Sequence, residues 1–103
     1  MNSLTQMTQR STEAKSPMSP KIHAEGGYLF YFVSHDVVSG EPPHVHIGRG
    51  TPSESDAKIW LDPVAVADSG RFRRRDISRM VRMVRERQHL LLEDWQEYGK
   101  RLR

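Results

Sequence analysis

Residues 57–84 read AKIWLDPVAVADSGRFRRRDISRMVRMV, and the hydrophobic period changes once within them. Ala57, Ile59 and Leu61 alternate with Lys58 and Trp60, the period-2 pattern of a strand whose two faces meet different surroundings. Asp62-Pro63 reads as a tight turn, and Val64-Ala65-Val66-Ala67 as a further strand. Asp68-Ser69-Gly70 closes the sheet. Beyond Arg74 the apolar residues Ile77, Met80, Val81 and Val84 fall at i, i+3, i+4 and i+7, the single stripe of an amphipathic helix.

The same two periods extend outward. Tyr28 to Val33 is an aromatic and β-branched run between Gly26-Gly27 and Ser34-His35-Asp36, too short for a helix and suited to a buried strand. Val37 to Pro43 carries Ser39, Gly40, Pro42 and Pro43 and reads as a loop. His44-Val45-His46-Ile47 is a strand ended by Gly48 and Gly50. Downstream, Leu91, Trp95, Tyr98 and Leu102 continue a helical stripe, with a break or kink near Gln88-His89. The expected fold is α+β: a small antiparallel β-meander of three to four strands, packed against one kinked or two consecutive C-terminal helices. Residues 22–103 form one such domain. Residues 1–21, rich in Ser, Thr and Gln and without helix or strand period, read as a disordered leader.

Composition narrows the functions. With 103 residues the chain builds one small core. It has no cysteine, so disulfides, thiolate metal sites and cysteine nucleophiles are excluded. No run approaches the ~18 apolar residues of a membrane span, and the first 21 residues lack the apolar centre of a secretory signal. The expected location is cytoplasmic. Phosphate-binding glycine loops and the Gly-x-Ser-x-Gly elbow are absent, which argues against nucleotide-dependent and serine-hydrolase chemistry.

The net charge is only +3, but it is segregated. Residues 22–70 balance at −5, whereas residues 71–87 hold eight arginines against Asp76 and Glu86, a balance of +6. Arg75, Arg79 and Arg82 share one side of the predicted helix, away from its apolar stripe. Ordinary solvated helices interleave Glu with Arg, so this ridge points to an anionic partner, RNA, DNA or an acidic protein. The candidate nucleic-acid-binding residues are Arg71, Arg73, Arg74, Arg75, Arg79 and Arg82.

The second cluster is Glu41-Pro42-Pro43-His44-Val45-His46. Residues i and i+2 of a strand share a face, so His44 and His46 project side by side. A hairpin with the preceding strand would bring His35 and Asp36 towards them. Three readings follow. His44, His46 and His35 can serve as acid–base groups, with arginines holding a phosphate, as metal-free RNA cleavage requires. His44 and His46 with His35 or Asp36 can ligate a metal. Or the histidines hydrogen-bond backbone and shape a proline-rich loop.

Pro42-Pro43-His44-Val45-His46, set between an aromatic strand and an alternating one, resembles the small bacterial family called domain of unknown function 4160. Met18-Ser19-Pro20-Lys21-Ile22 is similar to its opening and Leu91-Leu92-Glu93-Asp94-Trp95 to its close, so the likeness spans about residues 18–98. Val45 stands where the family has Phe, and His35-Asp36 reverses the family's Asp-His. The resemblance implies a component of a toxin–antitoxin-type pair, beside a second small protein. The leading expectation is therefore a toxin-like protein acting on RNA without a metal or other cofactor. Its catalytic candidates are His44, His46 and His35. The rival is a non-catalytic nucleic-acid- or protein-binding module whose arginine helix is the surface. A metal-dependent hydrolase is the third. Each is expected to have a small cognate protein partner, to stay off the membrane, and to be open to self-association.

Overall fold

The alternating residues 57–61 become an inner strand of a five-stranded antiparallel sheet. The computed structural model describes residues 21–103, with strands β1 (Lys21–Glu25), β2 (Tyr28–Tyr31), β3 (His44–Gly48), β4 (Ala57–Leu61) and β5 (Val64–Asp68). The strands lie in chain order, each antiparallel to the next. A short helix α1 (Ser34–Val38) stands between β2 and β3, and helices α2 (Arg74–Glu86) and α3 (Gln88–Leu102) follow the sheet. The α+β meander with consecutive C-terminal helices is thus present, with one strand more than expected.

The extra strand is β1, in a segment whose residues carry no clear period. It is held by its neighbour: His23 pairs with Phe30 across the Gly26-Gly27 turn, and their rings meet edge to face at 5.2 Å. A second difference is α1, which occupies part of a stretch that reads as loop. One helical turn there buries Val37 and leaves His35 outside. The expected leader lies outside the described residues, except that Lys21 opens β1.

Alternation sorts the side chains between the two sheet faces. Phe30, Val45, Ile47, Ala57, Ile59 and Leu61 are fully buried and join Met80, Val84, Leu91 and Trp95 in the core. Helix α2 covers this face, packing on β4 and β5. The predicted stripe of α2 holds, with Met83 added to it. In α3 the stripe runs through Leu91, Trp95 and Gly99, while Leu102 is exposed at the helix end rather than buried as its spacing suggests. The other face carries Tyr31, His46 and Lys58 side by side on adjacent strands, and His44 opposite Trp60.

Two glycines fix how the loops meet this frame. A Cβ at Gly48 would overlap the Asp56 carboxylate, and one at Gly70 (φ 59°) would overlap the Ser55 carbonyl. The backbone N–H of Arg71 donates to that same carbonyl at 2.9 Å, tying the entry of α2 to the β3–β4 loop. Among the described residues, no helix is long and apolar enough to cross a membrane.

Candidate functional site

His44 and His46 project from the same face of β3, as their spacing requires, with ring centroids 5.1 Å apart. The residue that meets them is Asp36, from α1. Its Oδ2 lies 2.8 Å from Nε2 of His44 and 3.1 Å from Nε2 of His46. His35 takes no part: it is exposed on α1, one position away and so turned to another side of the helix. The sequence reading names His35 as the third catalytic candidate and offers Asp36 only as its alternative in a metal site; the structure brings Asp36, not His35, to the pair. A single turn of helix decides between them, because Val37 must enter the core and Asp36 then faces β3.

The proline-rich run orients the site. Pro42 turns its carbonyl back on His44, and Nδ1 of His44 donates to it at 2.9 Å. The carbonyl can only accept, so Nδ1 carries a hydrogen and Nε2 is the nitrogen aimed at Asp36. His44 is 0% exposed, enclosed by Trp60 edge-on at 5.5 Å and Trp95 at 5.1 Å. Trp95 reaches it because α3 packs against α1 at this end of the sheet, where the same indole also meets Phe32. His46 is less enclosed and stacks on Tyr31 at 5.4 Å.

The electrostatics follow from these contacts. Burial opposes the charge on Asp36, but the hydrogen bonds and charge of the two histidines outweigh it and hold the carboxyl below its ordinary range. Burial lowers the His46 imidazole, and the pull of Asp36 only partly offsets it, so His46 also lies below its usual value. Lys58 beside it pairs with Glu41 at 3.0 Å and sits 4.8 Å from the Trp60 ring centre. Asp36, His46, Tyr31 and Lys58 line one side of a cleft of about 380 Å³, completed by Ser53, Glu54 and Asp68. Asp56, at its base, accepts from the Tyr31 hydroxyl at 2.5 Å and the Ser53 N–H at 3.0 Å.

The arginines lie elsewhere. Arg73, Arg74, Arg75, Arg79 and Arg82 are exposed on or at the start of α2, the helix that covers the opposite sheet face. Among the described residues no side-chain bond or ion pair joins them, or Arg85, to any group. Arg71 differs: it lies 3.5 Å from Asp56 and over the Phe72 ring at 5.0 Å. The sheet therefore separates the histidine cluster from the arginine ridge, which the sequence reading unites around one phosphate. The signal for this separation is present in the alternation of residues 57–61. Lys58 pairs with His46 on the polar face, while Ile59 faces the helices.

The three arginines that open α2 oppose elementary helix electrostatics. Positive charge at a helix N-terminus meets the positive end of the dipole. Asp76 is the only acid of that first turn, and it is already engaged. It accepts from the Tyr28 hydroxyl at 2.5 Å and from Arg49 at 3.1 Å, contacts that hold its carboxyl below the ordinary range. The face of α2 is thus cationic without internal compensation.

Compared with known families, residues 27–96, more than half of the chain, match the family model described as a domain of unknown function (DUF4160). No curated protein and no solved structure matches the chain.

Proposed function

The chain belongs to the DUF4160 family, whose description names no activity, and from its own charge distribution we propose that it is a nucleic-acid-binding module. The outward face of α2 is the binding surface, and the phosphate backbone of RNA its ligand. One observation carries this reading. Arg73, Arg74, Arg75, Arg79, Arg82 and Arg85 have no carboxylate partner among the described residues, and three of them crowd a helix N-terminus where an anion is favoured. The helix is about 20 Å long, enough to track several successive phosphates. Phosphate contacts of this kind carry affinity rather than sequence choice.

This reading is favoured over cleavage by histidines working between arginines, because α2 and the histidines sit on opposite sides of the sheet. The module would act in the bacterial cytoplasm, as one half of a toxin–antitoxin-type pair with a small cognate protein.

The test is anisotropy titration of a short labelled single-stranded RNA at several salt concentrations, with duplex DNA for comparison. Arg79→Ala with Arg82→Ala is expected to weaken binding and to flatten the salt slope by about 1.4. His46→Ala is expected to bind as the wild type does. Absence of binding at low salt, or a slope that ignores the arginine changes, would falsify the proposal.

A further inference from the structure

We infer that Asp36, His44 and His46 form a binding site for one divalent transition-metal ion, with Zn²⁺ as its natural probe. The inference stands apart from the nucleic-acid reading and uses none of its residues.

Convergence of three donor atoms is the first argument. Nδ1 of His44 is committed to the Pro42 carbonyl, which leaves Nε2 as the ring nitrogen that faces the Asp36 carboxylate, 2.8 Å away. A cation bound there would take the place of the hydrogen between Nε2 and the carboxylate. His46 aims its own Nε2 at the same oxygen, 3.1 Å away. The three donor atoms lie within 4.8 Å of one another. Ligand atoms about 2.0–2.1 Å from a tetrahedral zinc are about 3.3 Å apart. To form a three-ligand shell the two Asp36 contacts lengthen slightly and the two imidazole nitrogens, within 4.8 Å of each other, settle to the same spacing.

The surroundings have the features such a site needs. An imidazole that binds metal through one nitrogen commonly donates the other N–H to a backbone carbonyl, which fixes its tautomer and orientation. Pro42 does this for His44. Trp60 and Trp95 hold the ring in place. Asp36 and His46 border the open cleft, which gives the ion an entry path and leaves room for water at the remaining positions. The nearby Lys58 ammonium is paired with Glu41 at 3.0 Å. Two imidazoles and one carboxylate suit Zn²⁺ and its first-row neighbours, whereas Mg²⁺ and Ca²⁺ prefer all-oxygen shells.

The test uses the full chain, freed of metal by dialysis against a chelator. Calorimetric titration with Zn²⁺ is expected to show one site. Co²⁺ is expected to give visible absorption bands of a low-coordinate nitrogen–oxygen site. Asp36→Asn and His46→Ala are each expected to weaken Zn²⁺ binding at least about tenfold, while His35→Ala and His89→Ala leave it unchanged. If either cluster variant fails to fold, histidine ¹⁵N spectra of the wild type with and without Zn²⁺ decide the matter. Shifts of Nε2 in both His44 and His46 support the site. No saturable binding, shifts confined to His35 or His89, or a His44 ring that keeps protons on both nitrogens with Zn²⁺ in excess would each overturn it.

Discussion

Asp36 and His44 stand eight positions apart, yet Oδ2 of one and Nε2 of the other are 2.8 Å apart at the end of the sheet. The contact ties a one-turn helix to the first residue of β3, across a loop containing Gly40, Pro42 and Pro43. It therefore serves the fold as well as any ligand. His44→Ala would leave a partly buried carboxylate with one donor fewer and a hole between two tryptophans. The expected loss is about 3 kcal/mol, read as a lower urea midpoint at unchanged slope. A loss below about 1 kcal/mol would mean that the loop is held by other contacts.

Gly48 has ordinary backbone angles, so its requirement for glycine is steric. A methyl group there would meet the Asp56 carboxylate, which is held by Tyr31, Ser53 and Arg71. Gly48→Ala is expected to cost about 1–3 kcal/mol. Asp56→Ala is expected to be costly alone, yet to recover part of the loss when added to Gly48→Ala. Strict additivity in that double-mutant cycle would show that the two sites do not touch.

The start of α2 is expected to trade stability for binding. Arg74→Glu and Arg75→Glu exchange unfavourable charge for favourable charge at the helix N-terminus, raising stability by about 0.3–1 kcal/mol each. The same changes are expected to weaken RNA binding. Thermal denaturation and anisotropy on the same samples check both halves. Variants that are less stable than the wild type would remove the argument from helix electrostatics.

Tyr31 sets an alkaline limit. Burial first, and then its hydrogen bond to Asp56 and that carboxylate's charge, push its phenol well above the usual range; Arg71 opposes only weakly. The folded value exceeds the unfolded one. The contribution of this group is therefore complete below about pH 10 and is lost as pH rises beyond it. Tyr31→Phe is expected to be less stable near neutrality, because Asp56 loses a donor. The difference from the wild type should hold up to about pH 10 and shrink as pH rises from about 10 to about 12. A gap that stays constant across that range would place the phenol's ionisation elsewhere.

Much of this molecule is local in origin. Alternation at residues 57–61 and helical spacing at 77–84 are set by which side chains avoid water within a few neighbouring residues. The meander order, the stripe of α2 and the shared face of His44 and His46 follow from them. Segregation of the arginines is likewise a property of the linear chain. Three features are not local. β1 exists because β2 offers it an edge to pair with. Asp36 rather than His35 joins the histidines because Val37 must be buried. The arginines stand apart from the histidines because α2 covers the apolar face of the sheet while the histidines occupy the other. Periodicity states which side of an element turns inward. Which elements meet, and across which face, depends on closing loops and filling one shared core, so it emerges only once the whole chain has packed.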